Sequence, residues 1–305
     1  MRNNMKKLKS AGFAALYLAI PIVMQFLIAV VLGMQMLALN FVSGGTGQVD
    51  FNQIQERFQS SQYNLILVAL LNFIFIVGFG LWYYFIRTRR DVSPVDYRMV
   101  VSRKSILCTL GLAVASQFVC NIIMTLFAIL FPDVYRGYVD LAQSFDINVL
   151  PPWAMLFIVT VWSPLAEELI FRAMIFRTLR KGFSFLPAAV ISGVLFGVYH
   201  MNWVQGVYAA ALGVLLAFTY EKTNSLLGCY LFHLMFNLLS YVIEGIQSSG
   251  ILPGIVLGIV LLALEVGSLV GIGFFIRRFS KLYPKRPDVR VEVGEEVQLV
   301  ERDGE

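Results

Sequence analysis

From Ala11 to Val42 the chain carries no charged side chain. Seven more apolar runs follow, at about 63–86, 105–131, 153–176, 185–200, 206–220, 226–247 and 251–276. An apolar run of about 18 residues or more is a candidate for crossing the roughly 30 Å hydrocarbon core of a bilayer. In that medium each backbone N–H and C=O needs a partner within the protein, and a continuous apolar run meets that need as a helix. The chain therefore reads as an all-α polytopic membrane protein, a bundle of about eight transmembrane helices. Its composition of 58% hydrophobic and 14% charged residues, with mean hydropathy +0.73, excludes a soluble domain. The bundle is expected over 1–283, followed by a polar cytoplasmic tail over 284–305. The first run is too long for a signal-peptide core and lacks a cleavage signal, so it is expected to be retained.

Basic residues set the orientation. They cluster before the first run, between the second and third, after the fourth and sixth, and after the last. Only Arg57 and Arg136, of 24 Lys and Arg residues, fall on the other side. This alternation predicts both termini in the cytoplasm. It also accounts for the net charge of +5 as topology; no basic recognition face points to nucleic acid. The three cysteines, Cys108, Cys120 and Cys229, lie in apolar runs and read as small buried residues. Gly-x-x-x-Gly pairs at Gly193/Gly197, Gly254/Gly258 and Gly267/Gly271 read as helix packing. Trp153, Trp162 and Trp203 read as interface anchors or packing. The fifth and sixth runs are short for the bilayer, and MNWVQ joins them.

The fourth run contains what a lipid-facing helix should not. Glu167, Glu168 and Arg172 sit within VWSPLAEELIFRAMIFRTLR. A charge at mid-membrane costs about 2.5–3.5 kcal/mol even on the mildest scales, so such residues read first as functional. Both histidines of the chain join them: His200 ends the fifth run, and His233 lies in the seventh with Asn237 one turn later. His233 and Asn237, at i and i+4, share a helix face. At about 1.5 Å per residue, Glu167 lies about 21 Å from Lys181, and His233 about 17 Å from Lys222. His200 comes out at about 28 Å from Lys181, deeper than the others. Glu168 and Arg172, at the favoured i, i+4 spacing, read as a supporting ion pair.

Two chemistries fit these residue types. A carboxylate with an imidazole can activate water, while a second imidazole and a carboxamide donate hydrogen bonds to an oxyanion. Alternatively, Glu167, His200 and His233 could hold Zn²⁺ and lower the pKa of a bound water. The soluble His-Glu-x-x-His signature is absent. Ser163 and Ser240 lack the strand-turn-helix setting of a serine nucleophile.

Glu167-Glu168-x-x-x-Arg172, Phe196-x-x-x-His200 and His233-x-x-x-Asn237, in this order on successive runs, resemble the motifs of the CPBP family. That family comprises CAAX prenyl endopeptidases and the bacteriocin-processing and abortive-infection (Abi) membrane proteins. The resemblance covers about 153–241. It implies an eight-helix intramembrane endopeptidase acting on a peptide or membrane-anchored protein tail. Glu167 and His200 would activate water, and His233 and Asn237 would stabilise the oxyanion or assist a metal. Such an enzyme would sit in the plasma membrane, here of a bacterium. The alternatives are a non-catalytic scaffold or immunity protein that keeps the bundle, and a solute carrier. No inverted repeat of the kind that many carriers show is visible. Glu265, a further acid in the last run, matches no motif and is expected to pair with Gln117 or Asn121.

Overall fold

The computed structural model describes residues 2–43, 61–89, 95–144, 152–251 and 253–284. The expected tail over 284–305 lies outside the described residues from 285 onward. The described residues are helical throughout, with no strand. Helix α1 (Arg2–Ser43) and α2 (Ser61–Arg89) precede a single turn, α3 (Tyr97–Val100), and α4 (Arg103–Leu130). Then comes α5 (Pro132–Ser144), a short helix with polar and apolar faces that no apolar run announced. The fourth run is a composite span, α6 (152–179), in which α-helical and π-helical stretches alternate. α7 (Phe185–Tyr199), α8 (Trp203–Thr223), α9 (Leu226–Ser249) and α10 (Gly254–Leu282) complete the chain.

Each of the eight apolar runs is thus a helix. Seven are long and apolar enough to cross a membrane, and α7 is shorter. Boundaries shift where polar caps decide them. α8 begins at Trp203 because Asn202 accepts from Gln205 N at 3.1 Å, and α9 begins behind Ser225, which accepts from Gly228 N at 3.4 Å. Asn224, left-handed at φ 51°, ends α8.

α6 occupies the centre. Every residue from Leu169 to Phe176 is buried, packed among α1, α2, α7, α8 and α9. α4 forms a second hub, against α8, α9 and α10. The outer faces are apolar: Ile255 is 80% exposed and Val270 76%. Such faces suit lipid and not water.

α7 and α8 form a tight hairpin. A Cβ on Gly193 would lie 2.6 Å from Ala210 O, and one on Gly197 would collide with Gly206 O. Only glycine permits that approach, so this Gly-x-x-x-Gly pair packs as expected. The other two pairs do not behave alike. Gly254, Gly258 and Gly267 face open space, while Gly271 meets Ala115 at 3.5 Å. Among the described residues, packing therefore does not explain Gly254/Gly258, since nothing lies within 4 Å of a Cβ at either position.

One end of the bundle gathers both described chain ends. A Cβ on Gly182 would lie 3.0 Å from Lys6 O. Arg180 grips Glu221 in a two-pronged ion pair at 3.0 and 2.8 Å, tying α6 to the end of α8. Phe218 of α8 meets Phe279 of α10 with ring centroids 5.9 Å apart. The three cysteines are buried and free. Trp162 is a packing residue, its Nε1 donating to Ala69 O at 3.3 Å; Trp203 is 79% exposed. The pairing expected for Glu265 is not found with Gln117. Ser240 Oγ donates to Gln117 Oε1 at 2.8 Å, and Glu265 has no side-chain partner among the described residues.

Candidate active site

The site lies where α6, α7 and α9 meet beneath the α7–α8 hairpin. Glu168 is fully buried, and its Oε1 accepts from Arg172 Nη1 at 3.0 Å and from His233 Nδ1 at 2.8 Å. Arg172 is equally buried. Its Nη2 donates to Gly213 O at 3.2 Å, and its guanidinium carbon lies 4.7 Å from the centre of the Phe196 ring. An aromatic face and a backbone carbonyl thus take up the positive charge that the i, i+4 carboxylate leaves uncovered. The remaining atoms, Glu168 Oε2 and Arg172 Nε, are buried without a hydrogen-bond partner.

His233 is held between two carboxylates. With Nδ1–H committed to Glu168, its Nε2 faces Glu167 Oε2 at 3.6 Å, beyond a direct hydrogen bond. Glu167 keeps 17% side-chain exposure where Glu168 has none. Neighbouring glutamates therefore have separate environments. One is sealed in the protein as an anchor; the other borders accessible space.

His200 follows the last residue of α7. Its Nδ1 meets Phe196 O at 2.8 Å. A carbonyl can only accept, so Nδ1 carries the hydrogen, and in the neutral ring Nε2 presents a lone pair. The Phe196 ring links the two histidines, with its centroid 4.7 Å from that of His200 and 5.8 Å from that of His233. The depth mismatch estimated for His200 is reduced by the shortness of α7. Its 15 residues bring His200 only about 22 Å from the helix start.

Asn237 is placed by the π-helical stretch Ile158–Trp162. A π-turn shifts the hydrogen-bond register and makes carbonyls available to side chains. Asn237 Nδ2 donates to Val159 O at 3.0 Å, and Tyr230 Oη donates to Val161 O at 3.2 Å. Both donors belong to α9, so the irregular part of α6 fixes the helix that carries His233. One amide hydrogen of Asn237 is used in this way, and the second is left for another acceptor. Phe196 as the aromatic hub, Gly213 as the carbonyl acceptor for Arg172 and Val159 as the anchor of Asn237 were not assigned from sequence. The fixed spacing of Phe196 before His200 was the one signal that pointed to any of them.

A metal at this site would draw its ligands from the same side chains. Glu167 Oε2 and His233 Nε2 offer two donors, and the Glu168 contact to Nδ1 is the kind of support that metal-bound histidines receive. A catalytic zinc takes three protein ligands. Among the described residues no three His, Cys, Asp or Glu side chains gather to hold an ion. The described set does not fit a metal in this arrangement.

Residues 149–239 match the family model described as type II CAAX prenyl endopeptidase Rce1-like. A Bacillus subtilis (strain 168) protein named "Putative membrane peptidase YdiL" is 34% identical over 83 residues. That stretch is 27% of this chain and 34% of the relative's length, so the likeness spans about a quarter of this chain and a third of the relative. No solved structure matches. The matched segment contains all the motif residues of α6, α7 and α9, and it carries the CPBP-family resemblance read from the sequence.

Proposed function

We propose that the chain is an intramembrane endopeptidase that hydrolyses a peptide bond in a membrane-associated peptide or protein tail. The observation that carries this reading is the Glu167–His233 pair at 3.6 Å, with His233 anchored from behind by the buried Glu168–Arg172 ion pair. The match to the Rce1-like family supports it.

In the reaction Glu167 accepts a proton from water as the water oxygen attacks the scissile carbonyl carbon. His200 orients that water by accepting its other hydrogen at Nε2. The carbonyl π bond becomes an oxyanion, which receives hydrogen bonds from His233 Nε2–H and the second amide hydrogen of Asn237. Glu168 keeps Nδ1–H in place and offsets the imidazolium charge, as the buried aspartate does in a serine-protease triad. Collapse of the tetrahedral species breaks the C–N bond, and the proton held by Glu167 passes to the leaving amine. The protein is read as acting in a bacterial plasma membrane; the relative named a putative membrane peptidase is bacterial.

The test uses the full chain in proteoliposomes with a library of membrane-tail peptides. Its zinc content is measured in parallel. Cleavage by the parent without stoichiometric zinc, lost in Glu167→Gln, is the expected result. Zinc at one per chain that falls in His200→Ala and His233→Ala, but not in Asn237→Ala, would replace the glutamate mechanism with a metal one. Equal turnover in the parent and Glu167→Gln would exclude Glu167 as base.

A further inference from the structure

Where α4 begins and α10 ends, a cavity of about 210 Å³ is lined by Lys104, Cys108, Arg278, Lys281 and Leu282. Three of these five are cations and none is an acid. Among the described residues, Lys104, Arg278 and Lys281 have no carboxylate partner. Asp96, which acts electrostatically on nearby Tyr283, is used elsewhere: its carboxylate caps α3 by accepting from Met99 N at 3.0 Å.

The walls are fixed. Ser105 and Tyr283 hydroxyls meet at 2.8 Å, and Cys108 Sγ lies 3.8 Å from Phe275 O. Cys108, Phe279 and Tyr283 form a small apolar cluster at the same junction. The three cations are themselves exposed around the cavity mouth; like charges gathered there repel one another, and an anion between them removes that repulsion.

The surface beside the cavity indicates which anion. Val270, Phe274 and Arg278 stand at i, i+4 and i+8 on one face of α10. Val270 is 76% exposed, Phe274 59%, and Leu107, three residues after Lys104, 55%. Exposed apolar side chains thus stand close to the basic cavity on each of the two membrane-spanning helices that line it. The cavity is smaller than the roughly 300–1,000 Å³ typical of pockets that enclose a drug-sized ligand. It suits a headgroup whose tails lie outside it.

We infer that this cavity binds the phosphate diester of an anionic glycerophospholipid, with the acyl chains running along Leu107, Val270 and Phe274. A zwitterionic headgroup would bring its ammonium among three cations with no lining carboxylate to receive it. Basic pockets between membrane helices favour anionic headgroups for this reason. The site lies outside residues 149–239, and it stands whether or not the chain is a protease.

The inference is tested by titrating the purified full chain, in neutral detergent, with phosphatidylglycerol and phosphatidylcholine under native mass spectrometry. The variants are Lys104→Gln/Arg278→Gln/Lys281→Gln and, as a control removing as many charges from α1, Lys6→Gln/Lys7→Gln/Lys9→Gln. The parent and the control should bind phosphatidylglycerol equally and in preference to phosphatidylcholine. The cavity variant should bind it at least about 10-fold more weakly. Should that variant fail to insert, Arg278→Gln alone should still show a several-fold loss. Undiminished phosphatidylglycerol binding in the cavity variants would overturn the inference. So would displacement of the lipid by equimolar glycerol phosphate, which would mark a soluble-phosphate site.

Discussion

Glu167 and Glu168 are adjacent in the chain and opposite in environment. Two i, i+4 relations, to Arg172 and from His233 to Asn237, could be read directly from spacing, and the Glu168–Arg172 ion pair forms at 3.0 Å. The partner of each histidine could not. His233 pairs with Glu167 and Glu168, while His200 bonds to Phe196 O. These choices depend on helix rotation, which no single helix encodes. At this scale the carboxylates should separate experimentally. Glu167→Gln keeps the size and polarity of a largely buried side chain that borders accessible space, so the protein should stay folded while peptide cleavage is lost. Glu168→Gln leaves Arg172 buried without its counter-charge. Breaking a buried pair this way typically costs about 3–5 kcal/mol, so thermal unfolding in detergent should show marked destabilisation together with lost activity. If Asn237 serves the oxyanion, Asn237→Ala should reduce kcat by roughly 10²–10³-fold. KM should change far less, because that charge exists only in the transition state. A change confined to KM in steady-state assays would instead assign Asn237 to substrate binding.

The π-helical stretches of α6 and the glycine-lined α7–α8 hairpin are what bring the motif residues together. Existence and order of the helices were legible from apolar runs, since hydropathy is a local property. The π-turns were not, nor was the tertiary contact that the first of them makes, in which Asn237 and Tyr230 of α9 bind carbonyls of α6. The helix α5 was missed because it is too polar to stand out in hydropathy and too short to span. Glycine spacing gave one correct and one incorrect packing assignment from the same pattern. The structure predicts that the two differ in consequence. Gly197→Leu would drive a side chain into Gly206 O, and overpacking commonly costs about 1–3 kcal/mol; misfolding or a sharply lowered Tm is expected. Gly258→Leu, with nothing within 4 Å of its Cβ, should leave Tm unchanged. Equal destabilisation by both in thermal-shift measurements would contradict the open space at the Gly258 Cβ position.

For the whole molecule, the contacts from Lys6 through Gly182, Arg180, Glu221 and Phe218 to Phe279 put both described chain ends at one end of the bundle. Which side of the membrane that end faces is read from charge, through the preference of Lys and Arg for the cytoplasm. A reporter fused after Arg180, or at the C-terminus, should therefore be cytoplasmic. One inserted within 133–148, of which 145–148 lie outside the described residues, should be external. The reverse pattern at either place would invert the orientation and the depth assigned to Glu167. The sequence by itself determined the helical class, the number of apolar helices and the small set of polar residues placed among them. Each follows from a local property: hydropathy, side-chain type or spacing within one turn. Only the tertiary structure decided that Glu168 is sealed and Glu167 accessible, that His233 lies between them, and that α10 leaves α4 with a basic cavity at one end. Those outcomes depend on how helices from distant parts of the chain rotate and cross, and side-chain packing fixes that only once all of them are in place.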